Sequence, residues 1–441
     1  MLDPSTRTDE GDCGMLEQVL GRIWASTRIL DDHAAICAAG GRFCGTDSET
    51  QAREFLAARL AEIVGSEPTR EPIPYRGWSR GPASVGLPDG RRFPAQGLVR
   101  SPSTPAGGLR APLVDLGRGT ADDIARAGTA VKGAIVLVRH EFMMGTGHLH
   151  RRFKYELARA AGAAGFLIAN CEPGGLPVTG SSGDGSPGHI PCAGISHEDG
   201  AALSAIEGET ITLTVEGRFE DRTSYNLLAD IPGRTDEMVV LSAHIDGHDL
   251  AQSAIDNGSG LTAALAAASA VRDLVPGLRR GLQIGFFTVE EWALLGSRDH
   301  LARLGSNEKG RLVFNINLDS VAGAARLTAL TSGVPGISRF IRDALAPAGL
   351  SIGQYAPFMG NSDHANYVRN GIPALRLCAG FDEPRSNMRF LLTPADTRDK
   401  VHPHELKTAA SVTAALILAA CSAETLPGRL DPETALRIAG P

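Results

Sequence analysis

Three short apolar runs, at residues 239–243, 282–289 and 313–318, constrain this chain more than anything else in it. Each is strand-length, rich in β-branched or aromatic residues and free of polar alternation, the pattern of a strand covered on both faces. Between them, residues 260–275 and 292–304 are rich in Ala and Leu and predict helices. The order βαβαβ requires a parallel sheet with right-handed crossovers. The runs end in His244, in the pair Glu290–Glu291 and in Asp319, and Asp256 lies in the loop after the first. Open α/β sheets bind ligands outside the carboxyl ends of their strands. One imidazole and several carboxylates gathered there suit a divalent cation of zinc type.

The set formed by H-x-D at His244, D-N-G-S-G from Asp256, E-E-x-x-L-L-G-S from Glu290 and N-x-D ending at Asp319 resembles the co-catalytic zinc aminopeptidase and glutamate-carboxypeptidase family, from about residue 16 to about 420. The resemblance implies an α/β fold, a mainly parallel sheet flanked by helices, and hydrolysis of an amide or peptide bond. It also implies roles. Asp256 would bridge two ions, His244 and Asp319 would complete one, and Glu291 with a late histidine would complete the other. Glu290 would act as general base on metal-bound water, and Asp246 would orient the His244 imidazole from behind.

Upstream, residues 15–30 carry apolar side chains at helical spacing. A second helix is expected after Thr46, where Thr46-x-x-Glu49 fits a capping box and Gly65 a stop. The phrase G-R-x-x-G-T before it is typical of the family's entry segment. From residue 82 the chain turns rich in Gly and Pro, with a strand expected in 132–142, a helix in 155–165 and a strand in 166–170. This resembles a protease-associated domain, a small α+β module inserted in many members of the family. The expected division is a discontinuous catalytic domain, 15–81 and 224–425, interrupted by an insertion at 82–223. Pro403 fits the first turn of a last helix ending near 420.

The chain departs from its family where the late histidine should stand. The family's His-x-Pro-x-Asp-Thr segment here reads Leu392-Thr393-Pro394-Ala395-Asp396-Thr397. Leucine cannot coordinate a cation, so one tightly bound ion is expected, most naturally zinc, with a second position weak or empty. Four other histidines are weighed: His402 and His404 as exposed residues opening a helix, His364 as a contact to substrate or metal, and His248, beside Asp249, on proximity alone. The run His148, His150, Arg151, Arg152 and Lys154 reads either as a basic lid that meets a substrate carboxylate or as a solvated charge run.

The formal net charge of −7 offers no field for nucleic acid or an anionic membrane, and no apolar run in the sequence reaches the length of a membrane span. A start without a secretory pattern and seven scattered cysteines predict a cytoplasmic protein with reduced thiols. The expected function is a metal-dependent amide hydrolase acting on a short peptide or small amide, as an aminopeptidase-like exopeptidase or a specialised amidohydrolase. The alternatives are a non-catalytic binding protein on the same fold and a single-zinc acyltransferase resembling glutaminyl cyclases. The latter retain the corner of the site that this chain has altered.

Overall fold

The structure is a computed structural model that describes residues 6–183, 186 and 188–440, with side chains from residue 14 onward. The Cys13 thiol lies outside the described residues. One continuous mixed sheet runs through the molecule. At its centre the strands Leu312–Leu318, Met238–His244 and Gly281–Phe287 lie side by side and parallel. Ala374–Ala379 extends them in parallel on one flank. Every residue of Met238–His244 is buried, which is why the run carries no polar alternation until its end.

The crossover after Met238–His244 is the helix Gly260–Val271. It packs on the last long helix, Pro403–Ser422, and both touch the central strand. Pro403–Ser422 is the one helix among the described residues long and apolar enough to cross a membrane by length and composition, but most of it is buried in the core. The expected helix at 292–304 starts only at Leu295, because the chain first turns sharply at the end of its strand. The amphipathic segment at 15–30 is split into two helices, Thr6–Ala25 and Arg28–Ala38.

Helix Asp47–Val64 has half of the expected capping box. Thr46 Oγ1 accepts from the Glu49 N–H at 3.4 Å, and Gly65 ends the helix in the left-handed region. The Glu49 carboxylate turns inward instead, to Arg53 at 2.7 Å and Ser224 at 2.6 Å.

Two unusually long antiparallel strands, Thr69–Gly86 and Thr210–Ile231, link the central sheet to the inserted layer. One end of Thr210–Ile231 pairs with Gly281–Phe287, and the other pairs with Leu109–Asp115. Residues 82 and 223 fall inside these strands, so the chain passes between layers on paired backbone rather than through a linker. The inserted layer continues in parallel through Ile135–Arg139, Gly165–Ala169 and Cys192–Ile195. Its helix spans Arg151–Ala160, beginning before the expected 155 because the His150 ring caps it, accepting from the Arg152 N–H at 3.2 Å.

Candidate metal centre

His244, at the last position of its strand, points Nε2 at two carboxylates. It lies 3.2 Å from Asp256 Oδ1 and 3.6 Å from Asp319 Oδ1. These ligand atoms all fall within 4.8 Å of one another, and all three residues are buried. Ligands on one tetrahedral zinc, with bonds of about 2.0–2.2 Å, sit roughly 3–3.5 Å apart. The donor set therefore fits one divalent ion. Asp319 offers it one oxygen only, since Oδ2 is held by the buried Arg376 guanidinium at 3.2 Å. Burial raises the Asp319 pKa, but Arg376 and the His244 imidazole outweigh it and keep the carboxyl well below its usual range.

The imidazole is oriented differently from the sequence expectation. His244 Nδ1 meets the backbone carbonyl of Asp246 at 2.9 Å, while the Asp246 carboxylate lies 4.0 Å away. That carboxylate accepts instead from the backbone N–H groups of Glu290, at 3.0 Å, and Glu291, at 3.1 Å. Asp246 thus ties the first strand end to the corner that carries both glutamates. Burial pushes its own pKa up to about 6.

The backbone around these groups is strained. Val289, before Glu290, has φ +57°, Ser320, after Asp319, has +61°, and Ser253, near Asp256, has +48°. A β-branched residue in that region is a true outlier and persists only where surrounding contacts fix it. Here Asn257 supplies several of them: its Nδ2 donates to Leu318 O at 2.8 Å, and its Oδ1 accepts from the Ser320 N–H at 3.2 Å.

Glu290 lines a cavity of about 800 Å³. Burial, together with the charges of Glu291 and Asp319 and against that of His244, drives its pKa well above the usual glutamate value. The cavity is shared by both layers: the insertion supplies His148, His150, Arg151 and Arg152, and the catalytic side supplies Tyr355, Phe358, Asn361 and Arg369. A smaller cavity of about 230 Å³, bordered by Arg22, Arg59 and Asp273, contains none of the ligand residues.

The basic run is neither wholly lid nor wholly solvated. Arg151 is buried, its Nε donating to Ser181 O at 2.9 Å, and its guanidinium packs so closely on Gly180 that a Cβ there would lie 2.1 Å from Cζ. Burial lowers its pKa to about 10 against the pull of Glu291, Asp256 and Glu290. Arg152 is exposed at the cavity wall. Lys154 is spoken for elsewhere: it is buried and donates to Arg139 O at 2.7 Å and to Glu141.

His364 is fully buried, with neither ring nitrogen hydrogen bonded, and burial lowers its pKa to about 3. It stacks loosely on the cavity residue Phe358, with ring centres 6.2 Å apart. His402 and His404 are exposed and lie against each other at the start of the last helix. Leu392 is buried with φ +62°, and its carbonyl accepts from the Thr179 N–H of the insertion at 2.8 Å. In the same loop, Asp396 accepts from the N–H groups of Ile255, at 2.8 Å, and Asp256, at 3.2 Å, so this segment holds Asp256 in place.

Two participants had no motif to announce them, and a third, Arg42, stood in the G-R-x-x-G-T phrase without an assigned role. Arg376 could have been suspected as a lone charge in an apolar strand. Arg42 donates to the carbonyls of Ile245, at 2.9 Å, and Gln252 and Ser253, both at 2.7 Å, bracing the loop between His244 and Asp256. His248, which the sequence supports on proximity alone, places Nε2 2.8 Å from Glu291 Oε1.

Residues 226–417 match peptidase family M28, and residues 109–203 match the PA domain. The chain thus carries an M28-type peptidase region. Its similarity to aminopeptidase YwaD of Bacillus subtilis is 27% identity over 399 residues, covering 88% of this chain and 83% of the relative. With a probable leucine aminopeptidase 2 of Aspergillus fumigatus it shares 28% over 372 residues, covering 80% and 70%. Among solved structures, a peptidase M28 precursor from Shewanella amazonensis superposes with TM-score 0.80 at 23% identity, covering 96% of this chain and 100% of that one. The zinc aminopeptidase BSAP of Bacillus subtilis gives 0.70 at 23%, covering 95% and 98%. This chain is thus a peptidase-type hydrolase with a central sheet flanked by helices and an inserted PA domain.

Proposed function

We propose that this protein is an exopeptidase-like amide hydrolase for short peptides or small peptide-like amides that carry a carboxylate, with residues 15–81 and 224–425 as its catalytic domain and 82–223 as its insertion. The observation that carries this reading is the buried set His244, Asp256 and Asp319 with Glu290 beside it, lining a cavity walled by both layers. A divalent ion in that set, best suited to be zinc, supplies Lewis acidity toward a carbonyl and lowers the pKa of a water. Glu290 then takes the proton from the attacking water and returns it to the leaving nitrogen. Burial and the charge of Glu291 raise its pKa above the usual glutamate value, which favours its taking up a proton.

The named relatives are aminopeptidases, which supports an exopeptidase. The cavity of this chain has Arg151, Arg152 and Arg369 on its wall, and guanidinium groups match a carboxylate in a fork. That favours a substrate with a free carboxylate, a C-terminal one included. Glu290 argues against a purely binding role, because a binding module has no use for a general base.

The test is metal analysis of the purified protein with a hydrolysis screen over dipeptides, aminoacyl anilides and N-acyl amino acids. One tightly retained ion per chain and chelator-sensitive hydrolysis, strongest on carboxylate-bearing substrates, are expected. Absence of hydrolysis from a metal-replete sample across the whole panel would overturn the reading.

A further inference from the structure

The corner opposite His244 holds an arrangement that the loss of the late histidine leaves unexplained. His248 and Glu291 are both buried, and His248 Nε2 lies 2.8 Å from Glu291 Oε1. Yet neither ring nitrogen of His248 nor Oε1 of Glu291 has a hydrogen bond of acceptable geometry. Two buried ligand-type atoms thus face the same space without hydrogen-bond geometry between them, somewhat closer together than the 3.2 Å between His244 and Asp256. A bare imidazole in that position would otherwise leave costly unpaired atoms inside the protein.

His248 is also held firmly. Its N–H donates to Ser253 Oγ at 2.9 Å. Its carbonyl packs so tightly on Gly41 of the entry segment that a Cβ there would come within 2.0 Å. Arg42, next in sequence, gathers the carbonyls on either side of it, at Ile245, Gln252 and Ser253. A main chain fixed from three directions presents an imidazole whose Nδ1 has no hydrogen bond and whose Nε2 lies against Glu291 without hydrogen-bond geometry, an arrangement suited to holding a cation.

We infer that His248 and Glu291 form a second, weaker position for a divalent cation, with the imidazole of His248 taking over from the ligand that Leu392 cannot provide. Among the described residues no third His, Cys, Asp or Glu joins this pair at ligand spacing, in contrast to the His244 set. Solvent or a substrate oxygen must complete the coordination, so the ion is exchangeable where the first is retained. The second position thus survives in this chain with one ligand moved along the sequence.

The experiment is a titration of the chelator-stripped full chain with zinc sulfate, read by calorimetry and by elemental analysis after equilibrium dialysis. Wild type should show two classes of site separated by roughly a hundredfold in affinity. His248→Ala and His248→Gln should weaken the second class by at least about tenfold, as loss of a direct ligand costs no less than loss of its supporting partner. Both should leave the first class intact, and circular dichroism with thermal melting checks that they are folded. Asp249→Asn, whose carboxylate is engaged by Arg80, should keep both classes. A single class in wild type at saturating zinc, or an unchanged second class in a folded His248 variant, overturns the inference. The readout needs no substrate, so its failure would leave the hydrolase reading standing.

Discussion

Glu290→Gln is the sharpest probe of the proposed chemistry. The substitution keeps the shape of the side chain and removes only its ability to accept a proton. The corner is held by main chain, through the Glu290 and Glu291 N–H groups on Asp246, so an amide at 290 leaves those bonds in place. Glu290 lies outside the His244, Asp256 and Asp319 set, so the tight ion should stay. What disappears is a carboxylate whose pKa burial and the charge of Glu291 raise well above the usual glutamate value. Positioned general bases contribute about 10²–10⁴ in rate, so kcat should fall by about 10³, equivalent to about 4 kcal/mol of barrier at 1.36 kcal/mol per decade. KM should change little, because the loss is confined to the transition state. The assay is steady-state turnover on the best substrate of the panel, with metal content measured on the same sample. Turnover within about threefold of wild type, with metal retained, would refute the base assignment and revive the non-catalytic reading.

Replacing Arg151 and Arg152 by Ala should raise KM on carboxylate-bearing substrates more than on neutral amides, by about tenfold or more for a lost charge-assisted contact. Equal effects on both classes would remove the carboxylate from the proposal. Leu392→His should tighten the weaker zinc class and raise retained zinc toward two ions per chain, with Leu391→His as the control; a gain in the control instead would show that the loop is placed wrongly. His33 links the helix Arg28–Ala38 to the metal loop, its Nε2 3.1 Å from Ala254 O, and burial lowers its pKa to about 4. The unfolded chain protonates this ring near 6.5, so stability is lost as pH falls from about 6.5 to about 4, on the order of 3 kcal/mol in total. His33→Gln should flatten that part of the acid limb in urea unfolding, and an unchanged slope would refute the assignment.

The parts of this protein legible in the sequence are those where one residue's chemistry conflicts with its surroundings. Three apolar runs that stop at His244, Glu290 and Asp319 state both the parallel sheet and the edge at which it binds. Asp256 is legible through its D-N-G-S-G context, and the missing ligand at Leu392 through the surrounding T-P-A-D-T. The parts that were not legible depend on where a turn sends a side chain. Asp246 was expected behind the imidazole on a two-residue strand repeat, but the strand ends at His244, and the turned chain sends the carboxylate to the next strand's amides instead. The basic run was read as a unit, yet a helix starting at Arg151 separates its members: Arg151 faces inward, Arg152 faces the cavity and Lys154 pairs with Glu141.

His248 is the clearest case, and it bears on how a metal site changes while its fold persists. By spacing it is only the fourth residue after a ligand, in a loop whose direction no periodicity predicts. The loop's path is set by Gly41 and Arg42, some two hundred positions earlier, which leave room for the His248 carbonyl and collect the carbonyls around it. Leu392 and His248 stand on different elements, and the structure sets His248 against Glu291. A missing ligand at the first need not abolish the second cation position if the other is already braced. The bracing is contributed by residues that touch no cation, so a variant that loosens it should behave like a ligand variant. Arg42→Met, which keeps the apolar stem and removes the donors, should therefore weaken the weaker zinc class as His248→Ala does. It should affect the tight class less, since His244 is also fixed by its strand and by Asp246 O. Loss of the tight class first would place the role of Arg42 at His244 rather than at His248.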